Sequence, residues 1–272
     1  MNALSRKWLA VVGVLFVLAL VAYFYPLMKV LAPSGMSMEF LSDVDGLEVG
    51  TETELRFVIL DEEGQTLKDF EIAHERLLHL ILVRDDLQHF QHLHPSLNSS
   101  TGEFSARMTL SEAGDYTMFG DFVPLKGERT VLSVPLSVTG EYLATPLVMS
   151  SERSVIVGPF MVTPHFPEVI RSGEAAHYSF DVTKNGKAIQ LEKYLGATGH
   201  SVLLHEVDLD FIHTHADESA LAFSTVFAKT GLYKAFTQFQ VDGQVYTVDT
   251  VFKVVEGVEM APGSDAMDMS GH

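Results

Sequence analysis

From residue 50 onward the chain is built of short apolar runs separated by turn signals. Residues 55–60 read Leu-Arg-Phe-Val-Ile-Leu and are followed by Asp61-Glu-Glu-Gly64; further runs fall at 104–110, 116–122 and 130–138. Strands at this spacing, with no segment of helical period longer than a turn or two, predict an all-β sandwich. The same order then returns. Gly173 answers Gly50, residues 178–182 answer the first strand, and Asn185-Gly186 supplies a hairpin turn where Glu63-Gly64 stood.

A second correspondence sharpens the class of sandwich. Ala113-Gly-Asp-Tyr116 is matched by Thr230-Gly-Leu-Tyr233, and a Gly-x-Tyr entering a late strand is the local mark of a tyrosine corner in immunoglobulin-like sandwiches. The expected fold is all-β: two tandem immunoglobulin-like or cupredoxin-like β-sandwich domains after a single N-terminal transmembrane helix. The expected layout is a cytoplasmic N-terminus (1–7), an anchor or uncleaved signal (8–28) and a tether (29–38). A first sandwich (39–140), a linker (141–152), a second sandwich (153–256) and a disordered Met/Asp/His tail (257–272) follow.

Residues 8–28 are uncharged and follow Arg6 and Lys7. At about 1.5 Å per residue this run crosses a hydrocarbon core, and the basic flank keeps the N-terminus in the cytoplasm. Trp8, Tyr23 and Tyr25 suit the two interfaces. The rival is a cleaved signal with Val30-Leu-Ala32 as its site. An apolar run of this length, and Pro33 after the cut, favour the anchor. The expected location is therefore the bacterial envelope, as a single-pass inner-membrane protein with its bulk in the periplasm or outside the cell, or secreted if the signal is cut.

Charge and composition narrow the chemistry. With 36 acidic and 18 basic residues the net charge is −18, the opposite of what nucleic-acid phosphates require. The absence of cysteine excludes disulfides, thiolate metal sites and thiol catalysis.

What remains is histidine. His79-Leu-Ile-Leu-Val-Arg-Asp-Asp-Leu-Gln-His-Phe-Gln-His92-Leu-His94-Pro95 aligns without a gap on His200-Ser-Val-Leu-Leu-His-Glu-Val-Asp-Leu-Asp-Phe-Ile-His213-Thr-His215. If Asp85-Asp86 and Glu206-Val207 form two-residue turns, His79 faces His92 and His200 faces His213. His94 and His215 then share their neighbours' faces. Three imidazoles so placed can converge on one ion at bond lengths of about 2 Å. In the second copy the histidine face continues as Val202, Leu204, Leu209 and Phe211, which predicts a site at the mouth of the sandwich core. In the first copy both faces are apolar, with Ile81 and Phe90 on the histidine side. The competing reading is a pair of hydrogen-bonded core-edge histidine groups inherited by duplication.

Asp121 and Gln238 occupy equivalent places in a later strand and are candidates for a fourth ligand or a partner to one. His89 and His205 fall on the opposite face and are left out; Asp85 and Asp86 suit a turn. His74, His165 and His177 have no evident partner and are expected in solvent. All-nitrogen ligation suits Cu(II), Zn, Ni or Fe. Met36 and Met38 in the tether, and Met267, Met269 and His272 in the tail, add soft donors that select Cu(I). Copper leads, with zinc as the alternative.

The first histidine stretch resembles the hallmark of a poorly characterised family of bacterial secreted or membrane-anchored proteins that carry it twice, grouped with YtkA-like immunoglobulin-fold domains. A looser similarity links the chain to periplasmic copper-resistance carriers. The resemblance implies an extracytoplasmic location and a heavy-metal or copper connection. The second copy departs from it at Ala216, where the first has Pro95.

The expected function is a binding module that holds or delivers copper, with a metal transporter or envelope complex as partner. The alternative is a structural or assembly module of such a complex. An enzyme is not expected, because no carboxylate or other general base stands in register with the histidines in both copies.

Overall fold

The computed structural model describes residues 35–151 and 153–257. The expected anchor at 8–28 and the tail with Met267, Met269 and His272 lie outside the described residues. Among the described residues, no helix is long and apolar enough to cross a membrane.

Alternating apolar positions make two sandwiches. In the first, strands Ser37–Phe40, Glu52–Leu60, Glu103–Thr109 and Ser96–Asn98 form one sheet in that order. The facing sheet runs Leu47–Glu48, Thr130–Thr139, Gly114–Pro124, Leu78–Arg84, Gln91–Leu93. Leu55, Phe57 and Ile59 on one side meet Leu80, Leu82, Tyr116, Met118 and Phe122 on the other. In the second, Val155–Val157, Phe160–His165, Ala175–Lys184 and Lys187–Ala188 face Ile170–Arg171, Gln244–Val255, Gly231–Val241, His200–His205 and Phe211–His215. Its core holds Val162, Tyr178, Phe180, Leu203, Tyr233 and Phe239. Both expected tyrosine corners are present: the Tyr116 hydroxyl donates to Glu112 O at 2.9 Å and Tyr233 to Lys229 O at 3.3 Å.

The histidine face is not the face expected. Leu78–Arg84 and His200–His205 are buried at every position, because each strand covers something on both sides. One face fills its own sandwich. The other contributes Ile81, Val83 and Phe119 from the first domain, and Val202, Leu204 and Phe236 from the second, to a third apolar cluster between the domains. The histidines thus end the stripe that joins the two sandwiches, not the mouth of either core.

The hairpin register also differs, by two residues in both copies. Ile81 pairs with His92, and Val202 with His213, which sets His200 opposite His215. The second hairpin closes through His205 N donating to Asp210 O at 3.2 Å, leaving four loop residues instead of two. The first closes through Leu87 N to Arg84 O at 2.7 Å, with an extra residue near His89. Leu87, His89 and Leu209 all take positive φ (60°, 53° and 54°), a conformation that apolar residues announce poorly. A shift of two keeps every side chain on its face, so the clustering of the histidines survives the wrong pairing.

Candidate metal centre

The two histidine hairpins meet. Equivalent residues of the two domains pair reciprocally across the junction. Phe90 stacks on Phe236 with ring centres 4.4 Å apart, as Phe211 stacks on Phe119 at 5.0 Å. His92 Nδ1 lies 2.7 Å from Gln238 Oε1, and in the equivalent contact His213 Nδ1 lies 2.8 Å from Asp121 Oδ2. Asp121 and Gln238, singled out from sequence as ligands or partners to them, therefore each hold a histidine of the other domain. Arg129 fixes the His213–Asp121 contact. Its Nε and Nη2 donate to the Asp121 carboxylate at 2.8 and 2.5 Å, and its Nη1 to His213 O at 3.2 Å.

These contacts settle which nitrogens carry protons. His79 Nε2 must donate to Ala73 O at 3.2 Å, and His200 Nε2 to Tyr194 O at 2.9 Å, since a carbonyl only accepts. The Asp121 carboxylate likewise makes His213 Nδ1 a donor. In neutral rings the lone pairs are then on His79 Nδ1, His200 Nδ1 and His213 Nε2. Yet His200 Nδ1 and His213 Nε2 face each other at 3.3 Å, acceptor against acceptor. His79 Nδ1 faces His92 Nε2 at 3.0 Å in the same way when Gln238 Oε1 accepts from His92, as it does while its amide donates to Thr247 Oγ1 at 3.1 Å. A cation between the rings satisfies both nitrogens. Bonds of about 2.0–2.1 Å in a tetrahedron put neighbouring ligand nitrogens about 3.3–3.4 Å apart, close to both separations.

The third histidine of each copy points the same way. His94 Nε2 and His215 Nε2 are buried and have no hydrogen-bond partner, a costly state for a polar atom. His94 lies with its ring centre 4.7 Å from that of His92, and His215 lies 4.6 Å from His200. The donor nitrogens of His79, His92 and His213, and those of His200, His213 and His215, form two compact sets, each within 4.8 Å.

Burial above all favours the neutral form of the five imidazoles around His213. His79 and His200 are both pushed down to about 3, and His215 to about 2. His94 is lowered to about 4 by burial and then by Arg76, and burial holds His92 well below the ordinary range. Burial alone would raise the Asp121 carboxyl, but hydrogen bonds from Arg129 and His213 outweigh it and hold it well below the usual carboxylate range. Neutral imidazoles with one free lone pair each are what a transition-metal ion needs.

Some residues fall elsewhere than expected. Met38 is not in a free tether: it lies in strand Ser37–Phe40, is 6% exposed and packs in the first core, with Met36 against the same core. Its thioether is therefore packing material. His74, expected in solvent, stacks on His215 with ring centres 3.3 Å apart. It reaches the second domain from a tight turn where its φ is 48°, and its counterpart there is Leu195, so the repeat offered no hint of it. The proton-fixing carbonyls of Ala73 and Tyr194, and Arg129, were equally invisible, because only the folded chain brings them to the rings. His205 donates to Thr230 O and pairs with Asp208, and His165 pairs with Asp181, both away from the cluster.

Fold and site together define a tandem β-sandwich protein with a polyhistidine, metal-competent centre at the junction of its domains. The chain belongs to the family described as Domain of unknown function (DUF8832), whose model matches twice, at residues 33–140 and 158–256. The expected duplication is thereby shown, whereas the narrower likeness to YtkA-like domains and copper carriers is not supported. A search of curated proteins gives no match.

Among solved structures, the chain is similar to a Salmonella alpha-2-macroglobulin mutant at 12% identity and TM-score 0.28. That match covers 81% of this chain and spans only 15% of the macroglobulin. A two-domain fibronectin type III segment of chicken tenascin matches at 12% identity and TM-score 0.25, covering 80% of this chain and 97% of the segment. The D00-D0 domain of intimin matches at 11% and 0.23, covering 81% and 100%. The architecture rests on the sheets described above.

Proposed function

We propose that the protein is a membrane-anchored, extracytoplasmic module that holds a transition-metal ion between its two domains, with copper and zinc as the candidate ions. The observation that carries this reading is the His200–His213 pair. Its facing nitrogens, 3.3 Å apart, have their other nitrogens committed to a carbonyl and a carboxylate. A lone proton could bridge that pair, but it would leave the buried Nε2 atom of His215 unsatisfied; a metal ion on His200, His213 and His215 supports both the pair and its neighbour.

An all-imidazole set accepts either metal. With Met38 in the core, the thioether support for copper falls on the Met267 and Met269 pair alone. The basic Arg6-Lys7 flank before the apolar run at 8–28 supports the anchor and the outward orientation. The role is holding and passing on an ion, with a transporter or envelope complex as recipient. Catalysis is disfavoured because the Asp121 carboxylate at the centre is taken up by Arg129 and His213.

Titration of the metal-free protein with Zn²⁺ and Cu²⁺ tests the reading. Binding tighter than about micromolar that is lost in His213→Ala supports it. No binding, or binding indifferent to His213, ends it.

A further inference from the structure

The two compact donor sets share one residue. His213 belongs both with His79 and His92 and with His200 and His215. Its Nδ1 is committed to Asp121, so only Nε2 is free, and a single lone pair serves a single ion. An ion that takes His213 leaves the other side with His79, His92 and His94. That remaining set is less compact, since its ligand atoms are not gathered within the 4.8 Å that holds each of the other two sets.

The sides also differ in what stands behind them. His213 is backed by a carboxylate that Arg129 grips with two hydrogen bonds. The equivalent partner of His92 is the neutral amide of Gln238. A carboxylate behind an imidazole makes its other nitrogen a stronger ligand, and such partners are worth about 10–100-fold in metal affinity.

Resting on the metal-binding reading above, we infer that the centre takes two ions in unequal steps. The first seats on His200, His213 and His215 and is held tightly. The second occupies His79, His92 and His94, is held more weakly and exchanges faster. The duplicated hairpins thus carry a tight position and a labile one side by side, an arrangement suited to handing one ion on while the other is kept.

The test is calorimetric titration of the metal-free full-length protein in detergent with Zn²⁺, using a competing chelator to resolve the tighter step. The wild type should show two steps of different affinity. Asp121→Asn should weaken the first by about 10–100-fold and spare the second. Gln238→Glu should strengthen the second by a similar factor. It is isosteric, and the Thr247 hydroxyl, 3.1 Å from the present amide nitrogen, can donate to the new oxygen, so this variant remains informative if Asp121→Asn fails to fold. Two equal steps, a single ion, equal weakening of both steps by Asp121→Asn, or no gain from Gln238→Glu would each overturn the inference while leaving metal binding intact. No Zn²⁺ uptake at all would remove the metal reading itself.

Discussion

Phe236→Ala tests whether the apolar junction aligns the histidines. Phe236 is 4% exposed, stacks on Phe90 at an interplanar angle of 8°, and belongs to the cluster between the domains. Truncating a buried phenylalanine costs about 3–5 kcal/mol, of which the stacked pair contributes about 0.5–1.5 kcal/mol. Because the ring lies outside both sandwich cores, that loss falls on domain docking. At about 1.36 kcal/mol per tenfold, docking weakens by about two to nearly four powers of ten. Each sandwich keeps its own core, so the expected outcome is two folded domains that separate. Small-angle scattering should show a larger radius of gyration, and calorimetry should resolve two unfolding transitions. Metal affinity should fall as well, since separation takes His213 away from His79 and His92, and Gln238 away from His92. An unchanged radius, a single transition at the wild-type temperature and wild-type affinity together would refute the reasoning.

Other outcomes follow from the same geometry. His213→Ala should weaken metal binding more than His94→Ala, because His213 belongs to both compact donor sets and His94 to neither; parallel Zn²⁺ titrations measure this. The depressed pKa values make the metal-free protein lose stability in acid. The native imidazoles stay neutral down to about 3 for His79 and His200, while the unfolded chain takes up protons from about pH 6.5. Stability should therefore fall as pH drops from about 6.5 toward 3, by at most about 1.4 kcal/mol per pH unit per imidazole, as followed by urea denaturation. The same shifts predict that Zn²⁺ is retained at pH 5–6, where solvent-exposed imidazoles would release it; dialysis and elemental analysis check this. Tyr116→Phe removes the hydroxyl donating to Glu112 O and should cost about 1 kcal/mol in thermal unfolding without altering metal affinity.

How much the sequence disclosed depended on what survives a shift of register. Strand parity placed His79, His92 and His94 on one face, and the structure keeps them there although the pairing is two residues off, since a slip of two preserves faces. The loop lengths were hidden because Leu87 and Leu209 adopt a left-handed conformation that no Gly or Asn announced. The apolar character of both faces of Leu78–Arg84 was visible, but what covered the second face was not. The partner strand lies over a hundred residues away in sequence, and Phe119 and Phe236 read as ordinary core. The reciprocal roles of Asp121 and Gln238 were half legible: their equivalence is in the repeat, while the crossing to the other domain is in the docking. His74 was not legible at all, being an unrepeated histidine in a turn. Met38 misled because Met-x-Met suggests a soft ligand, and only its strand pairing with Ile59 reveals a core residue.

The most direct measurement is elemental analysis of the full-length protein purified from its native envelope without chelators, paired with the same analysis of His213→Ala. Stoichiometric copper or zinc in the first and a marked loss in the second is the predicted result. Metal-free native protein that also fails to take up either ion on titration would contradict a metal centre at the domain junction.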